Sequence, residues 1–131
     1  MFITRETDYA IRILRELNGH TRKTVQTICK NEQVPLQYGY KILKKLEKAA
    51  LVQSFRGING GYTLTRLARD ITLFDVVRAI DEELVLSECL GHDFQCPMNS
   101  GKKYCGVHCE LRRIQDVLLG ALREKSLADI F

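Results

Sequence analysis

No stretch of this 131-residue chain approaches the roughly eighteen uninterrupted apolar residues of a membrane-spanning helix, and the opening residues lack the apolar run of a secretory signal peptide. A soluble, cytoplasmic protein with no membrane partner is expected. A glycine-rich nucleotide-binding loop, catalytic-triad spacing and a metal-hydrolase motif are missing as well, so the residues point away from an enzyme. The sequence contains no internal repeat and no low-complexity segment. Its length suits about one ordinary domain, with room for a core but not for two independent units.

What is present is unevenly charged. Residues 1–70 carry thirteen Lys/Arg against six Asp/Glu, a balance of +7, whereas residues 71–131 carry seven against ten, a balance of −3. A basic lobe beside a mildly acidic one implies that the first meets a polyanion.

Along the chain, Tyr9, Ala10, Ile13, Leu14 and Leu17 form the stripe of an amphipathic helix over residues 5–18, which Gly19 ends. Thr24 is a natural N-cap for a short second helix with Val25, Ile28 and Cys29 on one side. Pro35 sits where a first-turn proline is tolerated and opens a third helix. In that helix Ile42, Leu43, Leu46 and Ala50 are expected to face inward and a lysine-rich face outward. The period then changes. Residues 51–56 read as a strand, 57–61 as a glycine-rich turn and 62–65 as a returning strand. Thr72 and Asp75 have capping-box spacing ahead of a fourth helix that runs into the acidic 81–83 stretch. Residues 87–104 have loop composition, and a last helix begins near Cys105, with Val107, Leu111, Ile114, Leu118 and Ala121 at spacings of 4, 3, 4 and 3. The fold expected is mainly α with a small β-hairpin. Residues 1–70 form a winged helix-turn-helix, and residues 71–131 supply a cysteine-rich loop and a long dimerisation helix in one compact unit.

In such a fold the start of the third helix enters the DNA major groove, which makes Pro35, Gln37, Tyr38, Tyr40 and Lys41 candidate contacts. Gln37 is the best base reader, since an amide donates to and accepts from adenine, while Lys41, Lys44 and Lys45 suit phosphates. Arg56, Asn59, Gly60 and Gly61 form a wing tip at which glycines let the backbone approach DNA closely. The expected partners are double-stranded operator DNA and a second copy of the chain.

Of five cysteines, four fall within 21 residues, as Cys89, Cys96, Cys105 and Cys109, with His92 and His108 alongside. Cys29 reads as a small buried hydrophobe. Clustered thiols without a signal peptide point to metal or thiolate chemistry rather than disulfides. The Cys-x2-Cys pairs usual in structural zinc sites are absent, whereas wide spacings can wrap an iron–sulfur cluster. Reduced, unligated thiols are the plain alternative.

The start Ile3-Thr4-Arg5-Glu6-Thr7-Asp8-Tyr9-Ala10, the wing Arg56-Gly57-x-x-Gly60-Gly61-Tyr62 and the tail Ser126-Leu127-Ala128-Asp129 resemble the bacterial winged-helix transcriptional regulators that include IscR, NsrR and CymR. The resemblance spans essentially the whole chain. It implies a homodimeric regulator of transcription whose cluster-bearing members hold iron–sulfur with three loop cysteines and a variable fourth ligand. The matching positions are Cys89, Cys96 and Cys105, with His108 as fourth ligand and Cys109 as the alternative. A 2Fe–2S cluster is favoured and 4Fe–4S stays open, because the loop spacings are wider than in IscR. Tyr40 departs from the pattern, standing where IscR carries a glutamate, so IscR's target sequence does not transfer. A cluster-free or zinc-binding repressor, controlled by a protein partner or by thiol redox state, is the competing expectation.

Overall fold

The computed structural model describes residues 3–97 and 105–131. Six helices and one hairpin follow in order: α1 (Arg5–Glu16), α2 (Val25–Glu32), α3 (Leu36–Lys48), β1 (Val52–Phe55), β2 (Gly61–Leu64), α4 (Leu73–Ile80), α5 (Gly106–Glu124) and α6 (Leu127–Ile130). The class is the one expected, a winged helix-turn-helix continued by a long C-terminal helix. Residues 98–104 of the expected loop lie outside the described residues. Among the described residues, no helix is long and apolar enough to cross a membrane.

Helix α1 begins where the Thr4 hydroxyl accepts a hydrogen bond from the Thr7 amide at 3.3 Å, satisfying one of the free donors of the first turn. Ala10, Ile13, Leu14 and Leu17 are closed off from solvent and pack against α2, α3 and α4. Burying each large aliphatic side chain stabilises the fold by about 1.5–3 kcal/mol. Arg15 adds a two-pronged ion pair with the buried Glu32, its Nε donating to Oε1 at 3.0 Å and its Nη2 to Oε2.

Helix α2 stops at Gln33, whose left-handed φ of 53° makes the turn of the motif without glycine, at a cost of about 1–2 kcal/mol. Pro35 is the N-cap of α3 rather than its first helical residue. Gly39 is buried where α3 crosses α2, and a Cβ there would lie 2.2 Å from Cys29 Sγ. The cysteine expected to be a small buried hydrophobe thus fills the space that glycine leaves.

Ala50 does not face inward. It is exposed, with a left-handed φ of 56°, because α3 has already ended at the cap residue Ala49 and the 3.6-residue period no longer applies. Leu51 takes the buried place instead, and the Ala50 carbonyl accepts from the Thr65 hydroxyl.

Strands β1 and β2 pair antiparallel from Val52↔Leu64 to Phe55↔Gly61. Lys23, just before α2, exchanges two backbone hydrogen bonds with Tyr62, at 3.1 and 2.8 Å. The wing therefore has a third extended segment. A Cβ on Gly61, where φ is 143°, would sit 2.6 Å from the Lys23 carbonyl oxygen.

The expected Thr72–Asp75 capping box starts α4, whose Val76 and Ile80 join the same core as α1–α3. The tail Ser126–Asp129 forms a second capping box and a short helix not expected from periodicity. There the Leu127 amide donates to the Ile71 carbonyl at 2.7 Å, and Leu127 is wholly buried. Helix α5 buries Leu122 and lays the Arg123 guanidinium 3.6 Å from the Phe74 ring centroid.

The tight crossing gives a direct test. Gly39→Ala should lower stability by about 1–3 kcal/mol through overpacking, measured by urea unfolding. Much of that loss should return when Cys29→Ala is added, because the colliding sulfur is gone.

Candidate nucleic-acid interface and cysteine region

The turn at Gln33 and the cap at Pro35 present the first turn of α3 outward. Pro35, Leu36, Gln37, Tyr38 and Tyr40 are all exposed. Among the described residues no side chain caps this end, and no acidic residue stands in its first turn. The partial positive charge of the helix start is therefore uncompensated and available to an anion. Tyr40 is oriented by Gln26 of α2, whose Nε2 donates to the phenol oxygen at 3.3 Å. Tyr38 packs against Tyr9 of α1 with ring centroids 5.7 Å apart.

The four lysines of α3 differ in their surroundings. Lys41 and Lys45 each donate to one oxygen of Glu6, and Lys45, at 2.9 Å from that carboxylate, also donates to the Ile80 carbonyl at 3.1 Å. Lys48 pairs with Glu82 at 2.9 Å. Among the described residues Lys44 makes no ion pair and is exposed, the arrangement expected of a phosphate ligand.

At the wing tip, Arg56, Gly57, Ile58 and Asn59 are exposed, and the Gly60 amide donates to the Gly57 carbonyl at 2.9 Å to close the turn. A Cβ on Gly60 would lie 2.8 Å from the Gly57 and Phe55 carbonyl oxygens, so the turn depends on glycine. Arg22 was not foreseen. Its guanidinium lies 3.6 Å from the Phe55 ring centroid and donates to the Asn59 carbonyl at 2.9 Å, bracing the tip from below. Arg22 is 37 positions from Asn59, and Glu6 is 35 and 39 positions from its lysines. Nothing local in the sequence signals either pairing.

All five cysteines are free thiols. Burial pushes the Cys29 thiol pKa up, which keeps it protonated and unreactive. Cys89 lies in a 3-10 turn with Sγ 3.4 Å from the Ser87 hydroxyl, and Cys96 is half-buried further along. Cys105 is the N-cap of α5, its sulfur accepting from the His108 amide at 3.5 Å. His108 Nε2 lies 3.2 Å from Arg112 Nη2. Since guanidinium can only donate, that nitrogen is the acceptor and its lone pair is engaged. Cys109, on the same first turn, is exposed. Among the described residues no three His, Cys, Asp or Glu side chains converge as a metal site. The donors suit a thiophilic metal or cluster in kind, and Cys105 and Cys109 share the start of α5.

A basic helix over a helix-turn-helix, beside a glycine-tipped wing, defines a DNA-binding regulator of transcription. Over residues 3–131 the chain matches the Rrf2 family, described as an iron-dependent transcriptional regulator, and it belongs to that family. It is similar to Protein aau3 of Rhizobium meliloti strain 1021, with 32% identity over 133 residues covering 99% of this chain and 84% of that protein. To the HTH-type transcriptional regulator IscR of Photorhabdus laumondii the identity is 28%, over 99% of this chain and 79% of the relative. In fold it is similar to CymR, the global cysteine regulator of Bacillus subtilis, with a TM-score of 0.73 and 24% identity, covering 98% of this chain and 94% of that one. The chain is thus a transcriptional regulator and not an enzyme.

If α3 and the wing meet DNA as their exposure suggests, Lys44→Ala and Arg56→Ala should each weaken duplex binding. Each should also flatten the plot of log K against log salt by about one unit, read by fluorescence anisotropy at several salt concentrations.

Proposed function

We propose that this Rrf2-family protein is a sequence-specific, homodimeric operator-binding regulator controlled by an iron–sulfur cluster on its C-terminal cysteine loop. The carrying observation is four free, partly or fully accessible thiols at Cys89, Cys96, Cys105 and Cys109, in a family described as iron-dependent. Cys89, Cys96 and Cys105 would hold the cluster. His108 or Cys109 would supply the fourth ligand, His108 only after its ring leaves Arg112. When bound, such a cluster supplies a redox-labile crosslink between the loop and the start of α5. A 2Fe–2S form remains the preferred reading.

The protein side of such control is local. Cys105 caps the helix that would carry the dimer seam, and the Leu86 amide donates to Gln115 on that helix at 2.9 Å. A change in loop order would therefore bear on α5 and on the acidic segment after α4. For control to follow, the two states must differ in DNA affinity.

Operator DNA would be read by Gln37, Tyr38 and Tyr40 at base edges, with Pro35 and Lys41 at the entry to the groove. Lys44 would lie along the phosphates, with Lys45 joining it only where Glu6 releases it, and Arg56, Asn59, Gly60 and Gly61 would form the wing. Dimerisation would use the outer face of α5. Val107, Ile114 and Val117 are 69%, 42% and 62% exposed and recur at spacings of 7 and 3, a heptad seam, whereas Leu122 is spent on the protein's own core. A cluster-free or zinc-binding repressor is the second reading, favoured by the Arg112 contact that already engages the His108 ring nitrogen.

Two measurements test these statements. Protein purified anaerobically should be coloured, with matched iron and sulfide, and Cys96→Ala should lose both. Colourless protein after reconstitution, with or without zinc, supports the second reading. In sedimentation velocity the parent should run as a dimer and the Ile114→Glu, Val117→Glu double variant as a folded monomer.

A further inference from the structure

The lysine face of α3 is less positive than its composition suggests. Glu6, in the first turn of α1, places one carboxylate oxygen on Lys41 and the other on Lys45. The two lysines are one helical turn apart and so bracket a single carboxylate. These two bonds and two further features hold the arrangement in place. The hydrogen bonds from Lys41 and then Lys45 keep its carboxyl below the usual carboxylate range. The positive end of α1 favours a negative charge in its first turn. Lys45 is also fixed on its other side by the Ile80 carbonyl. Lys48 and Glu82 are 79% and 86% exposed, against 57% for Lys41, 34% for Lys45 and 21% for Glu6, and a pair is screened more the more exposed it is.

A lysine laid on a phosphate raises affinity for every sequence equally, so it adds nothing to the choice of operator. Four unpaired lysines on the recognition helix would hold the protein on random DNA.

We propose that Glu6 is a specificity-determining residue. By occupying Lys41 and Lys45, it withholds two charges from the phosphate backbone and leaves base-edge contacts and Lys44 to set the affinity. The inference rests on α3 being the DNA-facing helix. Glu6 touches no DNA itself and acts through the two lysines.

The experiment uses full-length protein and a random-sequence duplex of about thirty base pairs, long enough to cover two half-sites one helical turn apart. Glu6→Gln keeps the side chain's shape and removes its charge. It should bind the random duplex on the order of tenfold more tightly at about 0.1 M salt and steepen the salt slope by one to two units. Glu6→Ala should do the same, and thermal melts of both variants identify any loss that comes from unfolding. In a Lys41→Ala, Lys45→Ala background, Glu6→Gln should have no effect on the slope. That arm separates release of these lysines from a general change of surface charge.

Equal slopes and affinities for the parent and both Glu6 variants overturn the proposal. So does a Glu6→Gln gain that persists without the two lysines, since the carboxylate would then act on DNA through space. If Lys44→Ala and Arg56→Ala leave parent binding unaltered, the placement of α3 and the wing on DNA fails, and this inference fails with it. If those two variants weaken binding while the Glu6 variants match the parent, only this inference fails.

Discussion

Everything that positions the DNA face depends on the buried stripe of α1. Ile13, Leu14 and Leu17 have no solvent exposure, and the helix that carries them packs against α2, α3 and α4 together. One helix therefore sets the angle of the helix-turn-helix pair and also seats the first element of the C-terminal half. The core includes Ile71, Val76, Ile80 and Leu127, so the last turn of the chain closes over the same apolar interior as the first. Interiors this closely packed transmit small displacements rather than absorbing them.

The close approach of α2 and α3 is the second constraint. It requires no side chain at Gly39 and a compact one at Cys29. The wing is placed in the same way. Gly61 permits the backbone of β2 to lie against Lys23, and Arg22 braces the tip through Phe55 and Asn59. Helix α3 and the wing are thus both referenced to the short segment around α2.

Charge is distributed by a different logic. The excess of cations in residues 1–70 suggests a uniformly positive surface. In the folded chain, Glu6, Glu16 and Glu32 pair with Lys41, Lys45, Lys23 and Arg15. Among the described residues, the cations without such partners include Lys44 and Arg56, on α3 and at the wing tip. Net charge describes attraction at a distance, whereas contact depends on which cations the protein has not already engaged.

The helices, the hairpin, the Thr72–Asp75 box and the buried Cys29 were legible because each rests on local rules: a period of 3.6, a change of period, a capping hydroxyl, a glycine turn. Ala50 was misplaced because periodicity carries no marker for where a helix ends. The α6 helix escaped because four residues are too few to show a period. The roles of Glu6, Arg22 and Gln26 escaped because their partners lie 39, 37 and 14 positions away at most. The sequence by itself determined the class of fold, the basic lobe, the glycine wing and the inventory of thiols, since all of these follow from residue type and near-neighbour spacing. Only the tertiary structure decided which lysines are already paired, which arginine braces the wing and which face of α5 is left uncovered, because those depend on distant segments meeting in space.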